Sequence, residues 1–238
     1  MKHKFTAAVM AAAMAAAGLT GCMEKKQPSS SNKSTETAVT TSAAGNDSTP
    51  NGEFVSESIE LIKLKYADVP DLTSGPEFKI SDTYAKPGEI AKVTVSVNGA
   101  KDKWNTCGIH VTYPEVLECQ LENAENNSIK YELGDAVAGN SAFIAMDWRE
   151  NLDEELVREH QCSFFFTTVF MDTKGGDGDI ATFFLKVPDD AKIGTVYKLG
   201  FYYKSDENAS DMFRDLEVDL AFEKYAFTHM TGGTITVR

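Results

Sequence analysis

From residue 78 onward the chain is written in short apolar or alternating runs separated by Gly, Pro, Asn and Asp, with little sustained 3.6-residue periodicity. The cleanest run is Gly233 to Val237, where Ile235 and Val237 alternate with Thr234 and Thr236, so one face is apolar and the other polar. A second landmark is Gly175-Gly176-Asp177-Gly178-Asp179. These residues readily adopt the left-handed conformations of a tight turn, and the apolar run after them stops at Pro188, which has no N–H to give to a ladder. On this pattern nine strands are predicted: Glu77 to Ser81, Ile90 to Val97, Cys107 to Tyr113, Val116 to Leu121, Ala142 to Trp148, Ser163 to Phe170, Ile180 to Val187, Val196 to Tyr203 and Gly233 to Val237. The predicted fold class is all-β, a β-sandwich with short helical insertions.

Two stretches depart from the pattern. Residues 151 to 160 carry Asn151 or Asp153 as an N-cap and acidic residues in the first turn, which predicts a short helix between two strands. Residues 210 to 216 also break the alternation, and Ser56 to Tyr66 fits a strand and a helical turn equally well.

The N-terminal quarter has a different character. Lys2 and Lys4 precede an uncharged Ala/Met/Val stretch from Phe5 to Leu19, about 15 residues against the roughly 20 of a spanning helix. This is the layout of a secretion signal. Leu19-Thr20-Gly21-Cys22 resembles a bacterial lipobox, which implies cleavage before Cys22 and a diacylglyceryl group on its sulfur. Residues 22 to 54 are rich in Ser and Thr and nearly devoid of large apolar side chains, so nothing offsets the entropy of ordering them. They predict a flexible tether with a mean span of roughly 30 Å. The division is therefore 1–21 signal, 22–54 linker and 55–238 folded domain, with the protein on the extracellular face of the bacterial membrane.

The formal charge of −13 becomes more negative still when the signal takes Lys2 and Lys4 away. Nucleic acid is excluded as a partner on this ground, and the lipid anchor at Cys22 is the one expected link to the membrane.

Four motifs in order carry a family resemblance. Lys86-Pro87-Gly88-Glu89 precedes alternating Ile90, Val93, Val95 and Val97; Gly108 to Glu118 contains Tyr113-Pro114-Glu115-Val116-Leu117-Glu118; Gly176-Asp177-Gly178-Asp179-Ile180-Ala181-Thr182-Phe183 opens a strand; Thr231 to Val237 closes the chain. Together they resemble cohesins, the modules of cellulosome scaffoldins that bind dockerins. The chain departs from the family pattern at Tyr113-Pro114, which lacks an intervening Asp, and at insertions around 123–140, 149–161 and 205–228. The resemblance implies nine strands in jelly-roll topology, no catalysis, and dockerin-containing proteins as partners. It implies no cofactor on this chain, with calcium carried by the dockerin.

The resemblance also implies a binding sheet formed by predicted strands 8, 3, 6 and 5. Period-2 alternation then sorts its faces. Ile109, Val111, Tyr113, Leu199, Phe201 and Tyr203 are expected in the core. His110, Thr112, Lys198, Tyr202 and Lys204 are expected outward, with Ile144, Met146, Trp148, Phe166 and Thr168 assigned to the partner-binding surface from strands 5 and 6, where both phases are apolar.

Other chemistry is thin. His110, His160 and His229 stand in no recognisable catalytic motif, the acidic pairs Asp153/Glu154 and Glu217/Asp219 read as solvated faces, and Asp172, Asp177 and Asp179 miss the EF-hand spacing. Once Cys22 is lipidated, Cys107, Cys119 and Cys162 leave room for at most one disulfide, with Cys107–Cys119 and three buried thiols as the alternatives. A second functional reading is a lipid-anchored carbohydrate-binding sandwich with Trp104, Trp148 and surface tyrosines as stacking platforms.

The anchor is tested by Cys22→Ser. The variant is expected to be released or to accumulate as precursor; unchanged partitioning into a detergent phase contradicts lipidation at this position.

Overall fold

The alternation folds into two β-sheets that bury their apolar faces against each other. The structure is a computed structural model and describes residues 56–138, 141–149, 152–205, 210–215, 217 and 219–238. Cys22 and the predicted signal and linker lie outside the described residues, as does Asn151. The strands are β1 (Glu77–Ile80), β2 (Thr83–Ala85), β3 (Ile90–Asn98), β4 (Thr106–Pro114), β5 (Glu118–Cys119), β6 (Leu121–Asn123), β7 (Ser128–Ile129), β8 (Tyr131–Leu133), β9 (Ser141–Asp147), β10 (Gln161–Phe170), β11 (Gly178–Lys186), β12 (Val196–Phe201), β13 (Met212–Arg214), β14 (Met230–Thr231) and β15 (Gly233–Val237). Among the described residues three α-helices accompany them: α1 (Ser56–Lys65), α2 (Glu154–Arg158) and α3 (Leu220–Thr228).

One sheet runs β14-β1-β3-β11, with β5 and β8 both pairing to β11. The other runs β2-β15-β12-β4-β10-β9-β7-β6, with β13 pairing to β4. The expected 8-3-6-5 arrangement is present as β12-β4-β10-β9. The core between the sheets is strongly aromatic: Phe164 and Phe183 meet across it with ring centroids 4.5 Å apart, and Trp104 packs between Phe170 at 5.3 Å and Phe213 at 5.1 Å.

Two glycines are required by geometry. Gly88, in the Lys86–Glu89 turn, has φ +77°, and the turn is closed by Glu89 N–H donating to Lys86 O at 3.0 Å. Gly175 lies against the Trp104 indole, where a Cβ would stand 2.0 Å from a ring carbon.

Eight of the nine predicted strands are found within two residues at each end. Val116 to Leu121 is different. Leu117 N–H donates back to Pro114 O at 3.0 Å, which makes a turn there and leaves only β5 and β6 as short ladder segments. Ser56 to Tyr66 resolves as helix because Ser58, Ile62 and Tyr66, spaced by four, form one buried stripe. Asp153 does sit at the N-cap of α2, yet its carboxylate faces Lys204 Nζ at 3.3 Å instead of capping the helix N–H groups. Residues 212 to 214, expected outside the β pattern, form β13, and α3 has no counterpart in the expected elements. Asp219 caps α3 by accepting from Ala221 and Phe222 N–H.

Among the described residues the cysteines, Cys107, Cys119 and Cys162, are free and buried. Cys107 lies in β4 and Cys119 in β5, strands of opposite sheets, so the expected neighbourhood of that pair does not exist. Burial raises the pKa of each of the three thiols above the ordinary value.

Register assigns each strand residue to a face, and stability reads the assignment. Phe166→Ala removes a fully buried ring and is expected to cost about 3–5 kcal/mol, whereas Ile144→Ala, at a position 55% exposed, is expected to cost less than about 1 kcal/mol. Urea denaturation of both variants checks this, and comparable losses contradict the facing.

Candidate functional site: the outer face of the β12-β4-β10-β9 sheet

Directly opposed residues in an antiparallel ladder share a face, so the register reads the outer surface row by row. One row is Met212 (β13), Gly108 (β4), Thr167 (β10) and Ile144 (β9). The next is Arg214, Thr106, Val169 and Ala142, and on the other side lie His110, Phe165, Met146 and Ser128. The intervening rows face the core, including Ile109, Phe166 and Ala145.

The two halves of this face differ. On the β10–β9 half, Ala142, Ile144 and Val169 are exposed, and Met146, Phe165 and Thr167 are half-buried. Met171, just beyond β10, is 78% exposed. Apolar side chains thus reach solvent side by side on the sheet, which is what an interaction surface presents.

The β12–β4 half is covered by the chain itself. His110, Thr112 and Tyr202 lie on the outer face, as alternation predicts, but they are 1%, 7% and 3% exposed. The His110 ring packs against Phe165 at 4.6 Å and edge-on to Trp148 at 5.7 Å. Ser210 O approaches to 3.4 Å from where a Gly108 Cβ would stand. The expectation that these three side chains are solvent-facing is therefore corrected. Ser210 and Asp211, beyond β12, lie against Gly108 and His110 here, and Lys204 pairs with Asp153 at the start of α2.

Asp211 is the centre of the cover. β12 pairs with β4 at Val111 and Thr112, and β13 pairs along the same edge from Thr106 to Gly108. The Asp211 carboxylate fills the junction: Oδ1 accepts from His110 N–H at 3.0 Å and contacts His110 Nδ1 at 2.9 Å, while Oδ2 accepts from Lys204 N–H at 2.8 Å. The Asp211 carboxyl is 2% exposed, and burial raises its pKa, opposed by His110 and the two backbone N–H donors.

The seven other expected residues divide cleanly. Ile144 and Lys198 are exposed, and Met146 and Trp148 are half-buried on the outer face. Lys204 is half-buried in its ion pair with Asp153. Phe166 and Thr168 are corrected: both are fully buried toward the core, and Phe165 and Thr167 take the outward positions. The polar members Ser163 and Thr167 in the outward phase are a signal that points the right way. Asp211 and Met212 were missed, and nothing in a loop-like insertion marks a residue that will complete another strand's edge.

The carbohydrate reading loses a platform, because the Trp104 ring is fully buried and its Nε1–H donates to Gly176 O at 3.1 Å. The three histidines have unrelated surroundings: His160 contacts Glu115 at 2.7 Å and His229 stacks on Tyr225 at 3.7 Å, so no acid–base constellation forms from them.

No protein-family model matches the chain, and no curated protein matches it. Among solved structures, it is similar to a type III cohesin module from the ScaE cell-surface anchoring scaffoldin of Ruminococcus flavefaciens, with 24% identity and a TM-score of 0.56, over 72% of this chain and 91% of that one. It is also similar to the third ScaC cohesin of Acetivibrio cellulolyticus, solved with the ScaB dockerin, at 15% identity and TM-score 0.48 over 68% and 98%. A non-cellulosomal cohesin from the archaeon Archaeoglobus fulgidus aligns at 13% identity and TM-score 0.43 over 69% and 92%. The first of these establishes that the chain has the cohesin fold.

Asp211 gives a pH signature with a definite sign. Its native pKa is above the ordinary value of about 3.9, so the native state retains a proton that the unfolded chain has lost. Stability from this group is complete below about pH 4 and is lost as pH rises through the native value. Wild type is therefore expected to lose stability relative to Asp211→Asn as pH is raised from about 4, measured by urea denaturation; a flat or rising difference contradicts the account.

Proposed function

We propose that this chain is a non-catalytic binding module that captures dockerin-bearing proteins, enzymes or scaffold components, at the surface of a bacterial cell. In this reading Cys22 carries the lipid, residues 22–54 form the tether, and residues 55–238 form the module. Calcium belongs to the dockerin partner, and this chain contributes a preformed sheet.

The observation that carries the reading is the apolar strip of exposed Ile144 and Val169 with half-buried Met146 and Phe165 on the outer face of a cohesin fold. A rigid sheet loses little order on binding, so a modest patch suffices when a few central side chains are well desolvated. The burial of His110, Thr112 and Tyr202 moves the footprint toward β10 and β9. Lys198 and Lys204 then become peripheral, where charge affects approach rate more than affinity.

The test is calorimetric titration of the chain against a panel of dockerins, with and without a calcium chelator. Ile144→Asp is expected to weaken capture at least about tenfold, equivalent to about 1.4 kcal/mol, while leaving the melting temperature unchanged. Calcium removal is expected to abolish capture. Wild-type affinity in Ile144→Asp, with a dockerin that does bind, contradicts the footprint; failure of every dockerin to bind contradicts the function.

A further inference from the structure

Cys119 and Cys162 come together at one corner of the sandwich, although they belong to opposite sheets. Cys119 is the ladder partner of Leu185 on β11, so the two residues share a face, and Leu185 lies in the core. Cys162 is the second residue of β10 and shares the inward phase of Phe164 and Phe166. β10 and β11 run in opposite directions across the core. The end of β10 and the approach to β11 meet at Trp104, which packs on Phe170 and donates to Gly176 O, and farther along Phe164 meets Phe183 at 4.5 Å. Two more residues along each strand set Cys162 against Leu185, with Cys119 beside it. Cys107 is remote from this corner. It opposes Thr168, six positions and so roughly 20 Å along β10 from Cys162, whereas a disulfide spans at most about 7 Å between Cα atoms.

The corner also carries a polar group of its own. Tyr113, the ladder partner of Cys162, donates its O–H to Asp147 Oδ1 at 3.4 Å, and Arg149 N–H donates to the same oxygen at 3.1 Å. The Arg149 guanidinium donates to Leu117 O at 3.3 Å. Burial raises the pKa of both thiols, Asp147 adds to the rise and Arg149 opposes it, and Cys119 feels the charge of Cys162 as well. At Cys162 the opposing Arg149 is second only to burial, which makes Cys162 the readier thiolate. Both cysteines stand where pairing ends: Cys162 is one rung from the last pair, Gln161 with Pro114, and Cys119 lies in the two-residue β5. Such ends open more easily than the middle of a sheet.

We propose that Cys119 and Cys162 form an inter-sheet disulfide, a covalent staple closed by exchange with an aliphatic disulfide. The Cys162 thiolate attacks the S–S bond of the oxidant, forms a mixed disulfide and releases one small thiolate. The Cys119 thiolate then attacks the Cys162 sulfur and displaces the second. Two electrons pass from the protein sulfurs to the oxidant, and the two cysteine protons leave on the two small thiols. The structure shows the reduced state of the pair. Oxidising conditions belong to the extracellular setting of the proposed function, and the staple rests on that reading in this respect alone. The bridge closes a loop over residues 120–161, which carries β6 to β9 and α2. It restricts the unfolded chain and ties the segment bearing Ile144 and Met146 to both sheets.

The test uses the full chain with Cys22→Ser, which keeps Cys107, Cys119 and Cys162. It is refolded from urea in a buffer of reduced and oxidised glutathione, blocked with N-ethylmaleimide in urea, and mapped by mass spectrometry without reduction. The peptides holding Cys119 and Cys162 are expected to be joined, with Cys107 alkylated. The oxidised chain is expected to melt at least about 5 °C above the same sample in dithiothreitol. Alkylation of all three cysteines, glutathione left on either thiol, or a bridge that includes Cys107 overturns the pairing. A Cys119–Cys162 bridge with an unchanged or lower melting temperature overturns its role as a staple. Cys162→Ala is expected to lose the oxidative gain in melting temperature, and a gain that persists overturns the proposal. The peptide map requires no variant at the pair, and none of these readouts requires a partner, so they succeed or fail independently of dockerin capture.

Discussion

Every backbone group along a buried strand edge needs a partner, and in β4 that requirement organises much of what surrounds it. β12 meets β4 only at Val111 and Thr112, while the stretch from Thr106 to Gly108 is paired by β13. Neither strand supplies an acceptor for His110 N–H, and the carboxylate of Asp211 does so. An ionisable group has been placed inside the sheet edge to finish a ladder. Because that group is buried, its bonds to His110 and Lys204 are as much a condition for its presence as a gain from it. Asp211 is thereby part of the fold, and with Ser210 it lies against Gly108 and His110 on the outer face as a direct result.

The sandwich was largely legible in the sequence because its strands obey a simple rule. Ile235 and Val237 go in, Thr234 and Thr236 go out, and no tertiary knowledge is needed to say so. β4 was assigned its facing correctly by the same rule, since Ile109, Val111 and Tyr113 all join the core. The rule weakens where both phases are apolar. In β10, Phe164, Phe165 and Phe166 follow one another, and only Ser163 and Thr167 mark the outward phase. Alternation also says which way a side chain points without saying what lies above it. His110 points away from the core and is nevertheless buried, because Asp211, a hundred positions on in sequence, returns to pack against it.

The helices were harder for a related reason. α1 has three inward residues and exposed leucines at Leu61 and Leu64, so its amphipathic contrast is weak and its strand-like alternative was equally good. What fixes it as a helix is tertiary: Tyr203 at one end and Glu223 at the other are placed to receive Ser58 and Tyr66. Likewise the acidic Glu223 reads as a surface residue in α3 until Tyr66, Lys65 and Phe213 are assembled around it. Local sequence carries the propensity of such elements, and the packing partner decides the outcome.

The two tryptophans stand in sharply different settings. Trp104 is enclosed by Phe170, Phe213 and Gly175 in the interior, while Trp148 lies half-buried at the rim of the exposed strip, against the His110 ring. Optically they divide the molecule between them. Emission from Trp104 belongs to the integrity of the sandwich, and emission from Trp148 to the state of the outer face and the imidazole beside it. Occupancy of that face and loss of the fold thus have separate intrinsic reporters in a chain that carries only two indoles, and a single substitution of either ring is enough to tell them apart without any added dye.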